Sequence, residues 1–308
     1  MVKCIKSTVF LISLLLIISN NLKSQVVKEL NIPSPKYIPE RWKAFWITHP
    51  HISTNDFSVR HYRKTFELKE KPGEFIVNIS ADNRYRLYIN GKYVCFGPQL
   101  GDLRHWKYET IDLAPFLNSG KNVIATEVIN WGDRRFFGII SHKTGFLFNV
   151  LTPEYAHLSS EDKTWKTFYN RSWTENPVNW MFGVDIIGGF YASNPGDSIK
   201  ANLYPWGWQG LDYNDQHWET PKWAGATSST GGFDWVLEPR STPIQVEKKL
   251  PFPGIIRSEG LTANTKVTFP MTIPGQSKVK LLIDNQVLSI GYPEMWISNG
   301  KNTSITIT

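Results

Sequence analysis

The chain has 308 residues, of which 41% are hydrophobic and 14% aromatic, and its formal charge is +7. That length suits about two domains with substantial cores. Basic residues are interleaved with acidic ones, and the tightest basic cluster, Arg60, His61, Arg63 and Lys64, falls short of a nucleic-acid arm, so no nucleic-acid partner is expected.

Residues 1–24 have the pattern of a secretory signal. Lys3 and Lys6 form a positive start, Val9 to Ile18 an apolar run too short to span a bilayer comfortably, and Ser24 a small residue before a cleavage point ahead of Gln25. The alternative is a retained N-terminal anchor. Cleavage removes Lys3, Lys6 and Lys23, lowering the charge from +7 to +4. It also leaves Cys95 as the one cysteine, so no internal disulfide is expected. The remaining sequence has no segment long and apolar enough to cross a membrane. An exported protein, periplasmic or extracellular, is therefore expected. Sequons occur at Asn78, Asn170 and Asn302.

Residues 25–40 contain Pro33, Pro35 and Pro39 and suggest an extended linker. Strand signals then dominate. Phe75, Val77 and Ile79 alternate with Ile76, Asn78 and Ser80. In the next run Tyr85, Leu87 and Ile89 share one face and Arg84, Arg86 and Tyr88 the other. Asn90-Gly91 supplies the positive φ angles of a type I′ hairpin turn, and a second strand restarts at Tyr93 and ends at Gly97-Pro98. Asp112 to Leu117 suggests one helical turn with Asp112 as its cap and Gly120 just beyond. Val123 to Ile129, and Phe146 to Val150, are further strands. Short strands without any sustained helical period predict an all-β fold: an antiparallel sandwich of the jelly-roll or galactose-binding-like kind over residues 41–240.

Within it, residues 173–222 form an aromatic, loop-like insert rich in Gly, Asn and Asp. Leu237 to Pro243 suggests a boundary. Residues 241–308 then look like a second, incomplete β domain, with strands at Lys266–Phe269, Lys278–Ile283, Gln286–Ile290 and Ser304–Ile307.

Motifs for phosphate loops, zinc sites and nucleophile elbows are missing. His49, His51 and His61 lack a ligand spacing, so neither a metal nor a cofactor is expected. Glycoside hydrolysis needs two carboxylates about 5 to 9.5 Å apart. Asp82, Glu109, Asp112, Glu127, Asp133, Asp185, Asp212 and Asp215 are available, but the sequence does not pair them, and no catalytic residue is assigned. The aromatic rings carry more information. Of the 13 tryptophans, Trp42, Trp46, Trp106, Trp165 and Trp235 suit plugs of a sandwich core. Trp131, Trp206 and Trp208 stand among turn residues, where rings that reach solvent stack on sugar faces. With Arg134 as a polar partner, they are the expected carbohydrate-binding residues.

Several stretches occur together in a recognisable order: Trp42-Lys-Ala-Phe-Trp-Ile47, Ala81-Asp-Asn-Arg-Tyr-Arg-Leu-Tyr-Ile-Asn-Gly91, Phe96-Gly-Pro98, Trp106-Lys-Tyr108 and Asp112-Leu-Ala-Pro-Phe-Leu117. Asn122 to Ala125, Thr144-Gly-Phe-Leu-Phe148, Asp162-Lys-Thr-Trp165, Tyr204-Pro-Trp-Gly-Trp208, Asp212-Tyr-Asn-Asp-Gln-His-Trp218 and Leu237-Glu-Pro-Arg240 follow. In this order they resemble bacterial α-L-rhamnosidases. The resemblance implies N-terminal β-sandwich domains ahead of an (α/α)6 barrel that carries the catalytic acid and base. It covers nearly the whole chain after the signal-like segment, and of the family's architecture only the N-terminal β-sandwich region. It therefore implies a non-catalytic carbohydrate-binding or supporting region, a truncated or partial protein, whose partner is a rhamnose-containing oligosaccharide or pectic polysaccharide. The alternatives are an active exported glycosidase acting on rhamnose-containing glycans and, more weakly, a surface interaction module with no sugar ligand.

Overall fold

The computed structural model describes residues 42–136, 138–176, 196–230, 234–245, 247–250, 254–261, 267–288, 291–300 and 302–307. The signal-like residues 1–24, the linker 25–40 and residues 177–195 of the aromatic insert lie outside them. The chain divides into two compact units, Met1–Glu247 and Lys248–Thr308.

The first unit is built from thirteen strands: β1 (Trp46–Thr48), β2 (Ser58–Leu68), β3 (Ile76–Asp82), β4 (Arg84–Ile89), β5 (Lys92–Gly97), β6 (Trp106–Asp112), β7 (Gly120–Asn130), β8 (Gly145–Val150), β9 (Lys166–Tyr169), β10 (Trp173–Asn176), β11 (Gly196–Ile199), β12 (Lys222–Gly225) and β13 (Leu237–Pro239). Two sheets form the sandwich. One has six strands in the order β12-β1-β8-β3-β6-β13, the other five in the order β5-β4-β7-β2-β9. Pairing within both is antiparallel except that β13 runs parallel to β6. β10 and β11 form a separate two-stranded ribbon.

The hairpin at 84–97 forms as its sequence predicts. Tyr85, Leu87 and Ile89 are buried, their neighbours are partly exposed, and Asn90 and Gly91 have φ of 52° and 79°. β3 differs from a half-buried strand, because all seven of its residues are buried. Val77, Ile79 and Ala81 join the inner core with Tyr85, Leu87, Phe146, Phe148 and Trp165. The opposite face of the six-stranded sheet is covered too, by a second cluster containing Trp46, Trp106, Tyr108 and Trp235, in which Trp46 and Trp235 stack at 4.3 Å. There Ser80 Oγ donates to the Lys107 carbonyl and accepts from Trp106 Nε1, and Asn78 Oδ1 accepts from Thr110, while Asn78 Nδ2 has no partner among the described residues. A third cluster, Val123, Ala125, Trp208 and Trp218, covers the outside of the five-stranded sheet. A wealth of aromatic residues that one core could not absorb is thus spread over three layers.

The turn after Asp112 is 3-10, Ala114–Phe116, and its N-cap is Leu113 rather than the expected Asp112; Asp112 Oδ1 instead ties the turn to β3, accepting from Ala114 N at 3.0 Å and from Phe75 N at 2.9 Å. Two of the sequons are closed, since Asn78 and Asn170 are fully buried, while Asn302 is exposed. Leu237–Pro239 is a strand as well as the approach to the end of the first unit.

Among the described residues the second unit contains one antiparallel pair, β14 (Gly254–Glu259) and β15 (Lys280–Asp284). Residues 267–269, 286–288 and 304–307, expected within strands, are not in strands, whereas β14 carries no alternation strong enough to be noticed. Ile256, Leu282, Ile283 and Trp296 are all exposed there, so apolar alternation without a covering layer does not secure a ladder.

Candidate functional site

Strand register brings one set of charged side chains together. Arg86 on β4 faces Glu127 on β7, Glu127 faces His61 on β2, and His61 faces Phe168 on β9. Directly opposed residues of this kind have Cβ atoms about 4.5–5.5 Å apart, so the four form a row across the outside of the five-stranded sheet. Tyr88 and Arg63 belong to the next row on the same face, opposite Ala125.

The loop at 201–218 is laid over these rows by specific bonds. Arg63, fully buried, donates from Nη1 to the carbonyls of Trp208 and Gly210 and from Nε to Asp215 Oδ2 at 2.9 Å. Its guanidinium carbon lies 5.3 Å from the centre of the Tyr213 ring. Trp208 packs edge-on to His61 at 4.1 Å and to Tyr88 at 5.5 Å, and its Nε1 donates to the Tyr204 hydroxyl at 3.2 Å. Trp208 is completely buried, which corrects the expectation that it reaches solvent: histidine and tyrosine from distant strands close over both sides of the ring. Trp206 is 70% exposed; its Nε1 donates to the Ala201 carbonyl at 2.8 Å and its ring lies 4.8 Å from that of Tyr204. The two tryptophans of one short motif therefore have opposite roles, one a plug and one a surface.

Beneath the loop, burial drives the electrostatics. The Glu127 carboxyl is pushed up to about 7, chiefly by burial and also by Asp197, with the Arg86 charge and the Tyr204 hydroxyl opposing. Burial, reinforced by the charge of Arg63, lowers His61 to about 3, so its ring is neutral and its 3.7 Å approach to Glu127 is not an ion pair. Asn170 Nδ2 donates to His61 Nε2 at 3.0 Å, which leaves Nδ1 with the proton. His61 Nδ1 and Glu127 Oε2 both lack a hydrogen-bond partner among the described residues. A buried acceptor without a donor costs about 1–3 kcal/mol, in keeping with the rise of this carboxyl on burial. The exposed Trp206 ring beside Tyr204 is the kind of surface on which a sugar face stacks.

Trp131 and Arg134 lie elsewhere, on the loop that follows β7. Its base is organised by the fully buried Asp82. Oδ1 accepts from Ser141 Oγ at 2.7 Å, and Oδ2 from His142 N at 2.8 Å and Trp235 Nε1 at 3.1 Å. Trp131 N donates to Asn83 Oδ1 at 3.1 Å, and Gly132, at φ 54°, lies so close to the backbone of Asn55 to Phe57 that a Cβ would clash at 2.6 Å. Trp131 is half-buried and Arg134 exposed. The hydrogen bonds and ring contacts of Trp206 and Trp208 run to Ala201, Tyr204, His61 and Tyr88, so the four predicted residues do not form one platform. Glu127, the central polar group, is among the carboxylates the sequence offers, and the sequence does not single it out because its row is assembled from strands far apart in the chain. The histidines also separate: His49 and His51 flank Glu219 at 3.2 and 3.0 Å, while His61 lies under Trp208.

No family model matches the sequence, and no curated protein matches it. Among solved structures, a GH78 family rhamnosidase of Bacillus sp. GL1 superposes with a TM-score of 0.60 at 24% identity, over 71% of this chain and 22% of that chain. The protein has the fold of part of an α-L-rhamnosidase. The α-L-rhamnosidase of Dictyoglomus thermophilum gives a TM-score of 0.48 at 21% identity, over 71% of this chain and 24% of that one. The native α-L-rhamnosidase of Aspergillus terreus gives 0.44 at 18% identity, over 59% and 21%. This chain thus spans less than a quarter of the length of these rhamnosidases.

Proposed function

We propose that this chain is a carbohydrate-binding or supporting region of an exported rhamnosidase-like glycoside hydrolase, without hydrolytic activity of its own. Its ligand is a rhamnose-containing oligosaccharide or a pectic chain. The observation that carries the reading is the exposed Trp206 ring beside Tyr204, on a rhamnosidase-like fold. One sugar stacked on one ring, with a few hydrogen bonds, gives affinities around millimolar once the cost of ordering is subtracted. Titration calorimetry of the full chain with rhamnose-containing oligosaccharides tests this. Heat of binding is expected in the unmodified chain and its loss in Trp206→Ala; no heat with any of them overturns the reading.

A second reading, hydrolysis, is favoured by one feature. Burial raises the Glu127 carboxyl to about 7, so it can hold a proton near neutral pH as a general acid must. Release of phenol from an aryl α-L-rhamnoside by the pure chain, abolished in Glu127→Gln, would establish it over the first.

A further inference from the structure

A second concave surface lies on the other sheet, at its β12 edge. Trp223 on β12 pairs with Ile47 on β1, and the register shifts between Trp46 and Ile47. Strict alternation would send Phe45 to the same side as the buried Ile47. Phe45 and Ile47 do line one cleft, and at this end of the sheet Phe45 is 46% and Trp223 63% exposed. Two open rings at one end of a sheet, Trp223 on the edge strand β12 and Phe45 just before β1, are a liability for self-pairing unless they serve a purpose. Between them and the 160–163 turn is a cleft of about 250 Å³, lined by Phe45, Pro221, Trp223, Glu161, Asp162 and Lys163.

The walls of this cleft are fixed in place. Ser160 Oγ donates to the Phe45 carbonyl at 2.6 Å, and Thr227 Oγ1 to the Ala44 carbonyl at 2.6 Å. Asp162 is held by Lys64 Nζ and by Thr164 N, the latter at 2.8 Å. Glu161 and Lys163, by contrast, make no hydrogen bond or ion pair among the described residues, leaving one acceptor and one donor available. The cleft is just smaller than the roughly 300–1,000 Å³ typical of drug-sized ligands, which suits a single pyranose ring. Groups of both signs stand along and beside the cleft, Glu161 and Asp162 with Lys163, Lys64 and Lys43, so no concentrated positive field selects a uronate over a neutral ligand.

We propose that the Phe45–Trp223 cleft is a second saccharide site, taking one neutral pyranoside unit with its apolar face on Trp223 and its hydroxyls on Glu161 and Lys163. The choice of ligand class rests on the carbohydrate reading above, but the site and its residues are separate from Trp206 and Glu127.

Fluorine NMR of the full chain labelled with 5-fluorotryptophan separates the two. The 13 tryptophans report individually, and Trp223→Phe and Trp206→Phe assign the two resonances of interest. Methyl α-L-rhamnopyranoside and methyl β-D-galactopyranoside are the probes, added to about 10 mM, above the millimolar range expected. The Trp223 resonance is expected to shift with at least one of them, equally in the Trp206→Ala chain, and about tenfold more weakly in Glu161→Gln. A shift at Trp206 with none at Trp223 overturns the cleft and leaves the proposed function standing. A shift at Trp223 with none at Trp206 supports the cleft and removes Trp206 from the binding surface. No shift at either refutes both. Movement of Trp223 with protein concentration and not with sugar shows that the cleft is a surface for a second copy of the chain, and overturns the proposal.

Discussion

Arg63 and Asp215 are 152 residues apart in sequence and joined Nε to Oδ2 at 2.9 Å, with the arginine fully buried and the carboxylate 16% exposed. Lys166 Nζ reaches the other oxygen at 2.9 Å. Asp215 is therefore more than a turn residue, because it holds the 201–218 loop on the sheet. Asp215→Ala strands a buried guanidinium and is expected to cost about 3–5 kcal/mol, whereas Asp215→Asn keeps an acceptor and costs less. Burial pushes the Asp215 carboxyl up, but the hydrogen bonds and charges of Arg63 and Lys166 outweigh it and hold the group below its ordinary value of 3.8. The folded state thus releases this proton more readily than the unfolded one. Its contribution is complete above that ordinary value and is lost as pH falls through the lower folded one. Denaturant melts from pH 2.5 to 7 test this: the gap between wild type and Asp215→Asn should close at the acid end, and a gap independent of pH would show the pair contributes nothing.

Glu127 should act in the opposite direction. Its carboxyl rises from 4.5 to about 7, so between those values the folded state holds more protons than the unfolded one and stability falls as pH rises. The loss is no more than about 3 kcal/mol. His61 opposes it over part of the range. Lowered from 6.5 to about 3, it makes stability rise with pH between those values. The difference between wild type and Glu127→Gln isolates the carboxyl. The variant should gain relative stability from pH 5 to pH 8, and a difference that stays flat would mean Glu127 titrates normally.

Trp206 and Trp208 offer a contrast inside one motif. Trp208→Ala removes a fully buried ring between His61 and Tyr88 and should cost about 3–5 kcal/mol. Trp206→Ala removes a ring that is 70% exposed and should change the melting temperature little while weakening sugar binding. Thermal melts and calorimetry on both variants check this; equal loss of stability in the two would mean that both rings are structural.

How much of this was legible in the sequence depended on where each residue finds its partner. The 84–97 hairpin was readable because its alternation and its Asn-Gly turn are local. Plugs such as Trp46, Trp165 and Trp235 were readable because they sit in strand-like surroundings, and all three are fully buried. Trp208 was not, because the residues that cover it come from β2 and β4 more than a hundred positions away, while its neighbours in sequence are those of an open loop. The row Arg86–Glu127–His61 was hidden for the same reason: only register aligns it. In the second unit alternation misled in the other direction, giving strand-like stretches at 286–288 and 304–307 that pair with nothing among the described residues.

The end of the first unit depends on one buried carboxylate. Glu109 is fully buried and accepts from Tyr85 OH at 2.7 Å, Arg240 Nη1 at 2.8 Å and Gln99 N at 2.9 Å. Beyond Arg240, Ser241 N and Thr242 N donate to Gln99 Oε1 at 2.8 and 3.0 Å, Ile244 packs on the inner core, and Glu247 bonds Arg86. A chain stopped after Glu247 keeps all of these. It should melt within about 2 °C of the full-length protein and be at least as soluble, since the exposed apolar residues of 248–308 are gone. Stopping after Thr242 spares Arg240 but loses Ile244 and Glu247, and should cost a measurable fraction of the stability. Stopping after Pro239 leaves Glu109 buried without its cation and should cost about 3–5 kcal/mol, lowering the melting temperature by roughly 10 °C or more. Differential scanning calorimetry on the three truncations gives the order directly. If the chain ending at Glu247 melts as low as the one ending at Pro239, residues 248–308 contribute to the cooperativity of the sandwich and the two units fold as one.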